Sequence, residues 1–226
     1  MCLLYLADIP DGRFDEIRWP YLSSETIQEA VARYTCQHSL RAHLCALSTL
    51  GFCLSEYTGS PASELPEIAK MPGGKPFFTD PALPRFNYSH AGGLILLGIG
   101  SSDLGVDIEI RKKNNAVRIS ERFFSPEETD YIRVCPEERF FEIWVIREAL
   151  GKYTGEGIQA FSRIAIDPEK ETVSLEQRNI VDVWRGTYGN YHMAAVGKVC
   201  PDIRRLDRNF RQIRGEDIRL TRYSSR

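Results

Sequence analysis

The chain has 226 residues, with 29 Lys and Arg residues against 31 Asp and Glu residues, which gives a formal charge of −2. Hydrophobic residues make up 42% of the sequence and charged residues 27%, so the disordered, collagen-like and coiled-coil classes are excluded. The near-neutral charge argues against broad nucleic-acid affinity, because such binding depends on many contacts between basic side chains and phosphates. The length is consistent with one domain or with two small ones.

Cysteine usage and the apolar segments indicate a reducing, cytoplasmic location. None of the six cysteines forms a CxxC pair, so a zinc site or a redox pair has no local support. The apolar start of the chain, residues 1–6, is short, and Asp8 and Pro10 follow it. No later apolar run approaches the ~18 residues that a membrane span requires. We therefore expect neither a signal peptide nor a membrane protein.

The first half of the chain predicts a strand, a long helix, a loop and three further strands. The first strand covers residues 3–7, and apolar residues at helical spacing predict one helix over about 25–56. Residues 57–85 are rich in Gly and Pro and predict a loop. The three strands that follow are expected at 85–88, 94–100 and 104–110. Their connections are too short for parallel crossovers, so we expect them to pair antiparallel.

The second half of the chain again places helices before antiparallel strands. Helices are expected at 115–123, 126–134 and 137–153. Strands are expected at 161–167, 171–176, 180–188 and 191–197. This order predicts an α+β protein of two similar lobes, each with a long helix packed on a small antiparallel sheet.

The predicted boundaries divide the chain into three parts. An N-terminal lobe covers 1–104, a C-terminal lobe covers 105–200, and an Arg-rich extension covers 201–226. The extension carries eight Arg, no Lys and four acidic residues. Such tails are usually solvated or disordered, and contact with a phosphate or an acidic partner is the alternative.

The first chemical feature is the strand Gly105-Val106-Asp107-Ile108-Glu109. Residues i and i+2 of a strand point to the same face, so Asp107 and Glu109 project together. Two carboxylates on one face repel each other unless a cation lies between them, and Mg²⁺ prefers such oxygen ligands. The alternative is an exposed sheet face that carries two acids.

The second feature is the apolar helix that contains Trp144, Arg147, Glu148 and Lys152. Trp144, Glu148 and Lys152 share one helix face at i, i+4 and i+8. An exposed Glu148–Lys152 pair is the alternative, but a helix this apolar offers little solvated surface. A third carboxylate for a metal site, with a lysine one turn away, fits the pattern better.

The third feature is a set of basic and hydrogen-bonding side chains that could bind an anion. Arg41 lies on the apolar stripe of the first helix, where a basic residue needs an anion or a carboxylate partner, unless it reaches solvent from the stripe edge. The segment Asn87-Tyr88-Ser89-His90 places hydrogen-bonding groups at the end of an apolar strand. With Lys75, these groups could hold a phosphate, although a structural histidine is the alternative for His90.

The order and spacing of these features resemble the 4′-phosphopantetheinyl transferase superfamily, in its longer pseudo-dimeric form that activates peptide, polyketide and broad-range carrier proteins. The blocks that carry the resemblance are Lys75-Pro76, Asn87-x-Ser89-His90, Gly105-x-Asp107-x-Glu109, Phe124-Ser125-Pro126-x-Glu128, and Trp144-x-x-Arg147-Glu148-Ala149 with Lys152. The resemblance covers roughly residues 25–200. It implies two lobes arranged as a pseudo-dimer within a monomer.

The resemblance implies that the protein transfers 4′-phosphopantetheine from coenzyme A to a serine of an apo acyl or peptidyl carrier protein and releases adenosine 3′,5′-bisphosphate. Mg²⁺, or in its place Mn²⁺, would be held by Asp107, Glu109 and Glu148. Glu148, or a metal-bound water, would deprotonate the carrier serine, and Lys152 would stabilise phosphate charge. Residues matching the family's coenzyme A contacts are Arg41, Gly74, Lys75, Pro76, Ser89, His90, Asp107 and Lys152. The family commonly has Lys where this chain has Arg147, which leaves the role of Arg147 open.

A basic stretch at 111–122 is a candidate docking surface for an acidic carrier protein. The residues proposed for docking are Lys112, Lys113, Val117, Arg118 and Phe123. A solvated basic loop is the alternative. For the whole protein, the competing functions are a metal-dependent phosphohydrolase or nuclease, and a non-catalytic protein that binds coenzyme A or a carrier. No nucleic-acid or membrane partner is expected.

Overall fold

The computed structural model describes residues 1–60, 64–176, 182–209, 211–213 and 218–225. The α-helices are α1 Ser24–Arg33, α2 Gln37–Thr58, α3 Ala116–Phe123, α4 Pro126–Val134 and α5 Pro136–Thr154. The strands before α3 are β1 Cys2–Asp8, β2 Ile68–Lys70, β3 Pro76–Phe78, β4 Arg85–Ala91, β5 Leu94–Gly100 and β6 Gly105–Ile110. The strands after α5 are β7 Ile164–Asp167, β8 Thr172–Leu175, β9 Val183–Tyr188, β10 Tyr191–Val196, β11 Val199–Leu206, β12 Ile218–Arg219 and β13 Thr221–Ser225. Short 3₁₀ helices cover Phe14–Glu16 and Gly157–Arg163.

Two larger sheets and one hairpin contain these strands. The first sheet has the order β12-β11-β1-β5-β4, and the second has the order β6-β10-β9-β13-β8-β7. The mixture of helices and sheets confirms the predicted α+β class. The expectation of purely antiparallel sheets is wrong, because β1 pairs parallel with β11 and β13 pairs parallel with β8.

The packing of the core follows from the alternation of side chains along buried strands. In β1, Tyr5 and Ala7 face the core that contains α2, whereas Leu4 and Leu6 face the core between the two sheets. α5 covers the other face of the second sheet. The described residues thus stack as α2, first sheet, second sheet and α5, which explains why β1 and β5 are apolar on both faces.

The single helix predicted over 25–56 is two helices. The chain leaves helical geometry at Tyr34 and re-enters it after Cys36, both of which have extended backbone angles. The Tyr34 ring lies 5.0 Å from the His43 ring, centroid to centroid. In a continuous helix these residues would be about 13.5 Å apart along the axis, so the break is what allows the contact.

Other boundaries differ from prediction by a few residues. The strand predicted from 161 begins at Ile164, because the preceding residues form a 3₁₀ helix. The strand predicted from 180 begins at Val183, and residues 180 and 181 lie outside the described part of the chain. The loop predicted over 57–85 contains the hairpin of β2 and β3.

The predicted C-terminal extension is part of both large sheets where it is described. β11, which continues into residues 201–206, pairs with β1, and β13 pairs with β9. The buried Arg205 donates to the carbonyl oxygens of Leu6 and Leu206 and pairs with Asp8. The expectation of a solvated tail is therefore wrong for these residues. No helix in the described ranges is both long and apolar enough to cross a bilayer.

Candidate active site

The candidate site lies where the edge strands β4 and β6 of the two large sheets meet. The amide N–H of Val106 donates to Asn87 Oδ1 at 2.9 Å, which joins the two strands. Two residues further along β4 and one residue further along β6, Ser89 Oγ donates to Asp107 Oδ1 at 2.8 Å. Both Ser89 and Asp107 are buried. The predicted block from 87 to 90 and the predicted acidic strand are thus brought together side by side.

Gly105 allows β6 to lie directly against α5. A Cβ atom built on Gly105 would lie 2.1 Å from the carbonyl oxygen of Ala149 and 2.5 Å from the amide nitrogen of Tyr153. Any larger residue would therefore push the strand and helix apart. Asp107 and Glu109 follow Gly105 at strand spacing, so they face the same helix.

Lys152 is the cation that the protein itself places beside Asp107. Its Nζ atom lies 2.7 Å from Asp107 Oδ1 and 2.7 Å from Ser89 Oγ. The Asp107 side chain is 4% exposed and that of Lys152 is 28% exposed. The fold thus brings together three residues that the sequence separates by up to 63 positions.

The three predicted carboxylates influence one another electrostatically. Burial raises the pKa of Asp107, while Lys152 and Ser89 oppose that rise. Burial, and then repulsion by the Asp107 carboxylate, raise the pKa of Glu109 and of Glu148. The charge of Lys112, and then a hydrogen bond with Trp144, oppose the rise in the pKa of Glu109. A cluster of carboxylates with raised pKa values is typical of a site that receives a cation or a proton.

The fit of a divalent cation can be judged from the donor atoms. In the described ranges, no three His, Cys, Asp or Glu side chains are arranged to enclose a metal ion. However, Asp107 Oδ2 is buried and has no hydrogen-bond partner among the described residues. An unsatisfied carboxylate oxygen facing two further carboxylates has the chemistry that Mg²⁺ requires. The residues therefore fit the metal in donor type, and Lys152 holds the other oxygen of Asp107.

A cleft of about 260 Å³ adjoins this cluster and is lined by Lys70, Lys75, Lys152 and several glycines. A Cβ atom on Gly73 would lie 1.6 Å from the Gly155 carbonyl oxygen, so glycine allows this loop to lie against the end of α5. Gly74 lines the cleft with a φ of +86°, and Pro76 lines it as the first residue of β3.

Lys75 joins the two halves of the chain within this cleft. Its Nζ atom donates to the Leu104 carbonyl oxygen at 2.9 Å and to the Tyr153 carbonyl oxygen at 3.1 Å. Burial lowers the pKa of Lys75. The sequence predicted a phosphate contact for Lys75 and gave no indication of these carbonyl contacts, which leave one ammonium hydrogen for a ligand.

The two other predicted anion contacts lie on α2 and β4. Arg41 is half-buried, and its Nε atom is buried with no hydrogen-bond partner among the described residues. His90 is exposed, and partial desolvation followed by nearby His38 and Lys152 lowers its pKa. Because the charge of His38 contributes to the lowered pKa of His90, the start of α2, which carries His38 and Arg41, lies near the His90 end of β4.

Sequence reasoning missed the environment of Arg147 and Glu128, although both lie in the motif blocks. Arg147 is 1% exposed and Glu128 is fully buried. Arg147 Nη2 lies 2.7 Å and 2.5 Å from the two carboxylate oxygens of Glu128. A charged residue inside an otherwise apolar helix was the available signal, and a buried partner is the usual reason for one.

The candidate docking residues lie on an exposed segment before α3 and on α3 itself. Lys112, Lys113 and Arg118 are exposed, whereas Val117 and Phe123 are half-buried. Arg122 lies over the Phe123 ring, 5.0 Å from its centroid. The segment thus combines exposed positive charge with partly accessible apolar surface.

Comparison with known proteins finds a match to the family model described as the 4′-phosphopantetheinyl transferase superfamily, over residues 103–196. A 4′-phosphopantetheinyl transferase of Bacillus subtilis is 37% identical over 91 residues, which is 38% of this chain and 39% of the relative. A putative 4′-phosphopantetheinyl transferase of Haemophilus influenzae is 30% identical over 62% of this chain and 60% of the relative. The 4′-phosphopantetheinyl transferase HetI of Nostoc is 28% identical over 70% of each chain. The match to the B. subtilis relative spans well under half the length of that protein.

Proposed function

Because the chain belongs to the 4′-phosphopantetheinyl transferase superfamily, we propose that it transfers 4′-phosphopantetheine from coenzyme A to a serine of an apo acyl or peptidyl carrier protein. The observation that carries this proposal is the cluster of Asp107, Ser89 and Lys152, faced by Glu109 and Glu148. Four of these five residues lie in the region that matches the family model.

In the proposed reaction, the carrier serine oxygen attacks the phosphorus atom that bears pantetheine. The bond from that phosphorus to the bridging oxygen of the pyrophosphate breaks, and adenosine 3′,5′-bisphosphate leaves with the bridging oxygen. Glu148 accepts the serine proton, for which its raised pKa is suited. Lys152 supplies positive charge to the phosphate oxygens, on which charge builds in the transition state.

Asp107, Glu109 and Glu148 would hold the divalent metal, Mg²⁺ or in its place Mn²⁺. When bound, the metal would neutralise negative charge on the pyrophosphate. The residues of the chain position the substrate around it. Lys75 and Gly74 line the cleft beside Lys152, which supports their proposed role in holding coenzyme A phosphates. Arg41, Pro76, Ser89 and His90 complete the proposed coenzyme A contacts.

The proposal extends to the assembly and location of the protein. Two large sheets, each covered by its own long helix, support a two-lobe pseudo-dimer that acts as a monomer, with lobes near 1–104 and 105–200. All six cysteines are free thiols, which supports a reducing, cytoplasmic compartment. The natural carrier and its pathway, including a role in secondary metabolism, stay open.

The test is to incubate the protein with an apo carrier protein, coenzyme A and Mg²⁺, and to measure the mass of the carrier. We expect the mass of one phosphopantetheine to be added to the serine. Asp107→Ala should abolish the addition, whereas Asp15→Ala, which removes an exposed carboxylate, should retain it. Free phosphopantetheine without carrier modification would instead indicate a phosphohydrolase. Binding of coenzyme A without any product would indicate a non-catalytic protein.

We further propose that the carrier docks on the exposed basic segment before α3. Lys112 and Lys113 would attract an acidic carrier, and Val117, Arg118 and Phe123 would provide contact area. Reversing charge at Lys112 and Lys113 should raise the Michaelis constant for the carrier at low salt and leave that for coenzyme A unchanged. The effect should shrink at high salt because ions screen exposed charges. An unchanged Michaelis constant for the carrier would exclude this surface.

A further inference from the structure

The buried pair of Arg147 and Glu128 joins α5 to three neighbouring elements. Glu128 lies in the first turn of α4, where its Oε2 atom accepts from the Ser125 amide at 2.8 Å. Its Oε1 atom accepts from the Ile166 amide of β7 at 3.0 Å. Arg147 Nη1 donates to the Phe161 carbonyl oxygen at 2.6 Å, and Nη2 donates to the Ile164 carbonyl oxygen at 3.1 Å. The pair thus ties α5 to α4, to the 3₁₀ helix and to β7.

The Arg147 guanidinium is also enclosed by aromatic rings. Its central carbon lies 4.7 Å from the Phe124 ring centroid and 5.8 Å from that of Phe161. Phe124 in turn packs on Trp144, one turn before Glu148, at 6.3 Å between centroids. Contact with two rings, together with the hydrogen bonds of Nη1 and Nη2, leaves the planar group little freedom to rotate.

The orientation of α5 determines where Glu148 and Lys152 point. Successive residues of an α-helix differ by about 100° around the axis, so an anchor at Arg147 sets the direction of Glu148. Lys152 lies just over one turn further and contacts Asp107. A small rotation of α5 would therefore move two candidate catalytic groups together relative to β6.

We propose that Arg147 and Glu128 are positioning residues, which fix the rotation of α5 and so place Glu148 and Lys152 against Asp107. This inference rests on the proposed function. Neither residue touches the substrate in this role, since both are fully enclosed by protein. A lysine at 147 would not replace the arginine, because a single ammonium has three hydrogens for four acceptors and lacks the planar group that contacts the two aromatic rings.

The test compares Arg147→Lys with Arg205→Lys. Arg205 is also buried, pairs with a carboxylate and donates to two carbonyl oxygens, but it lies in the first sheet. Both variants should lower the melting temperature to a similar extent. Only Arg147→Lys should lower kcat, by about 10- to 100-fold, with the Michaelis constant for coenzyme A unchanged. Equal kcat values for the two variants would overturn the positioning role.

Mg²⁺ binding and a second variant, Glu128→Gln, test the positioning role independently of the transfer rate of Arg147→Lys. Calorimetric titration of the protein–coenzyme A mixture with Mg²⁺ should show weaker binding in Arg147→Lys, by about 10-fold or more, and unchanged binding in Arg205→Lys. This readout needs no transfer activity, so it decides the proposal even if the unchanged protein modifies no carrier. Should Arg147→Lys not fold, Glu128→Gln serves as the second variant and should show the same two effects. Unaltered Mg²⁺ binding and kcat in a folded Glu128→Gln protein would overturn the proposal.

Discussion

Asp107, Glu109 and Glu148 lie together between β6 and α5. The negative charge of each carboxylate makes ionisation of its neighbours less favourable. Among them, Glu148 has its pKa raised by burial first and by repulsion from Asp107 next. Below its ordinary value near 4.5, the carboxyl is neutral in both folded and unfolded states. As the pH rises through the folded-state pKa, the folded protein must hold an unfavourable charge, so stability is lost.

This leads to a stability prediction for Glu148→Gln. In metal-free protein at pH 7, the variant should be more stable than the unchanged chain, because the amide needs no charge in the carboxylate cluster. The difference should shrink as the pH approaches 4, where Glu148 is protonated. Urea denaturation at several pH values measures it, with the exposed loop variant Glu64→Gln as the control. A less stable Glu148→Gln protein at pH 7 would contradict this account.

Individual residues differ in how far the sequence could predict their surroundings. Asp107, Ser89 and Lys152, which the sequence named as separate site candidates, lie within 2.7–2.8 Å of one another in the structure. Strand and helix periodicity place side chains on a face, and those faces meet in the fold. The acceptors of Lys75 are backbone carbonyls 29 and 78 residues away, and no sequence pattern indicates which carbonyls will be nearby.

At the scale of elements, the close approach of β6 to α5 creates the site. Gly105 is the residue that permits it, because a Cβ atom there would overlap backbone atoms of Ala149 and Tyr153. Backbone atoms cannot rotate away as a side chain can. The strand and the helix would have to separate, and Asp107 would move away from Lys152.

Gly105→Ala should therefore lower both stability and activity. We expect a loss of about 1–3 kcal/mol or more in the free energy of unfolding, as for overpacking in a core. Gly93→Ala is the matched control, since a Cβ atom there meets nothing within 4 Å. Thermal denaturation and transfer assays should separate the two variants. If Gly105→Ala retained the stability and rate of Gly93→Ala, the close approach would not be needed for the site.

The pattern of apolar residues predicted the existence of helices but did not predict the break between α1 and α2. The apolar positions of α1 and α2 continue in phase closely enough to predict one helix over 25–56. The break at 34–36 allows the Tyr34–His43 contact, which joins residues that a continuous helix would hold apart. α5, by contrast, was predicted within one residue at each end, and Gly155 ends it with a φ of +77°.

At the scale of the whole molecule, the last strands hold the two sheets together. β11 lies between β1 and β12 in the first sheet, and β13 lies between β9 and β8 in the second. The core between the sheets contains residues from β1, β6 and β11 together. Neither sheet is complete without strands from distant parts of the chain.

Separate halves should therefore not fold on their own. We expect residues 1–104 and residues 105–226, expressed separately, to lack a cooperative urea transition, because β1 would lose β11 and the core between the sheets would be exposed. Co-expression of the two halves is the control and should restore a single transition. Circular dichroism in urea measures this. A cooperative transition in either half alone would show that the lobes are independent.

The sequence by itself determined the α+β class and most element positions, and it indicated residues whose chemistry suits a metal and phosphate site. It could do so because helix and strand periodicity, turn residues and motif spacing are local properties of the chain. The tertiary structure alone decided the parallel pairing of β11 and β13, the break between α1 and α2, and the partners of Lys75 and Arg147. These depend on which distant segments come into contact, and a contact between segments is a property of the folded packing, which local spacing does not encode.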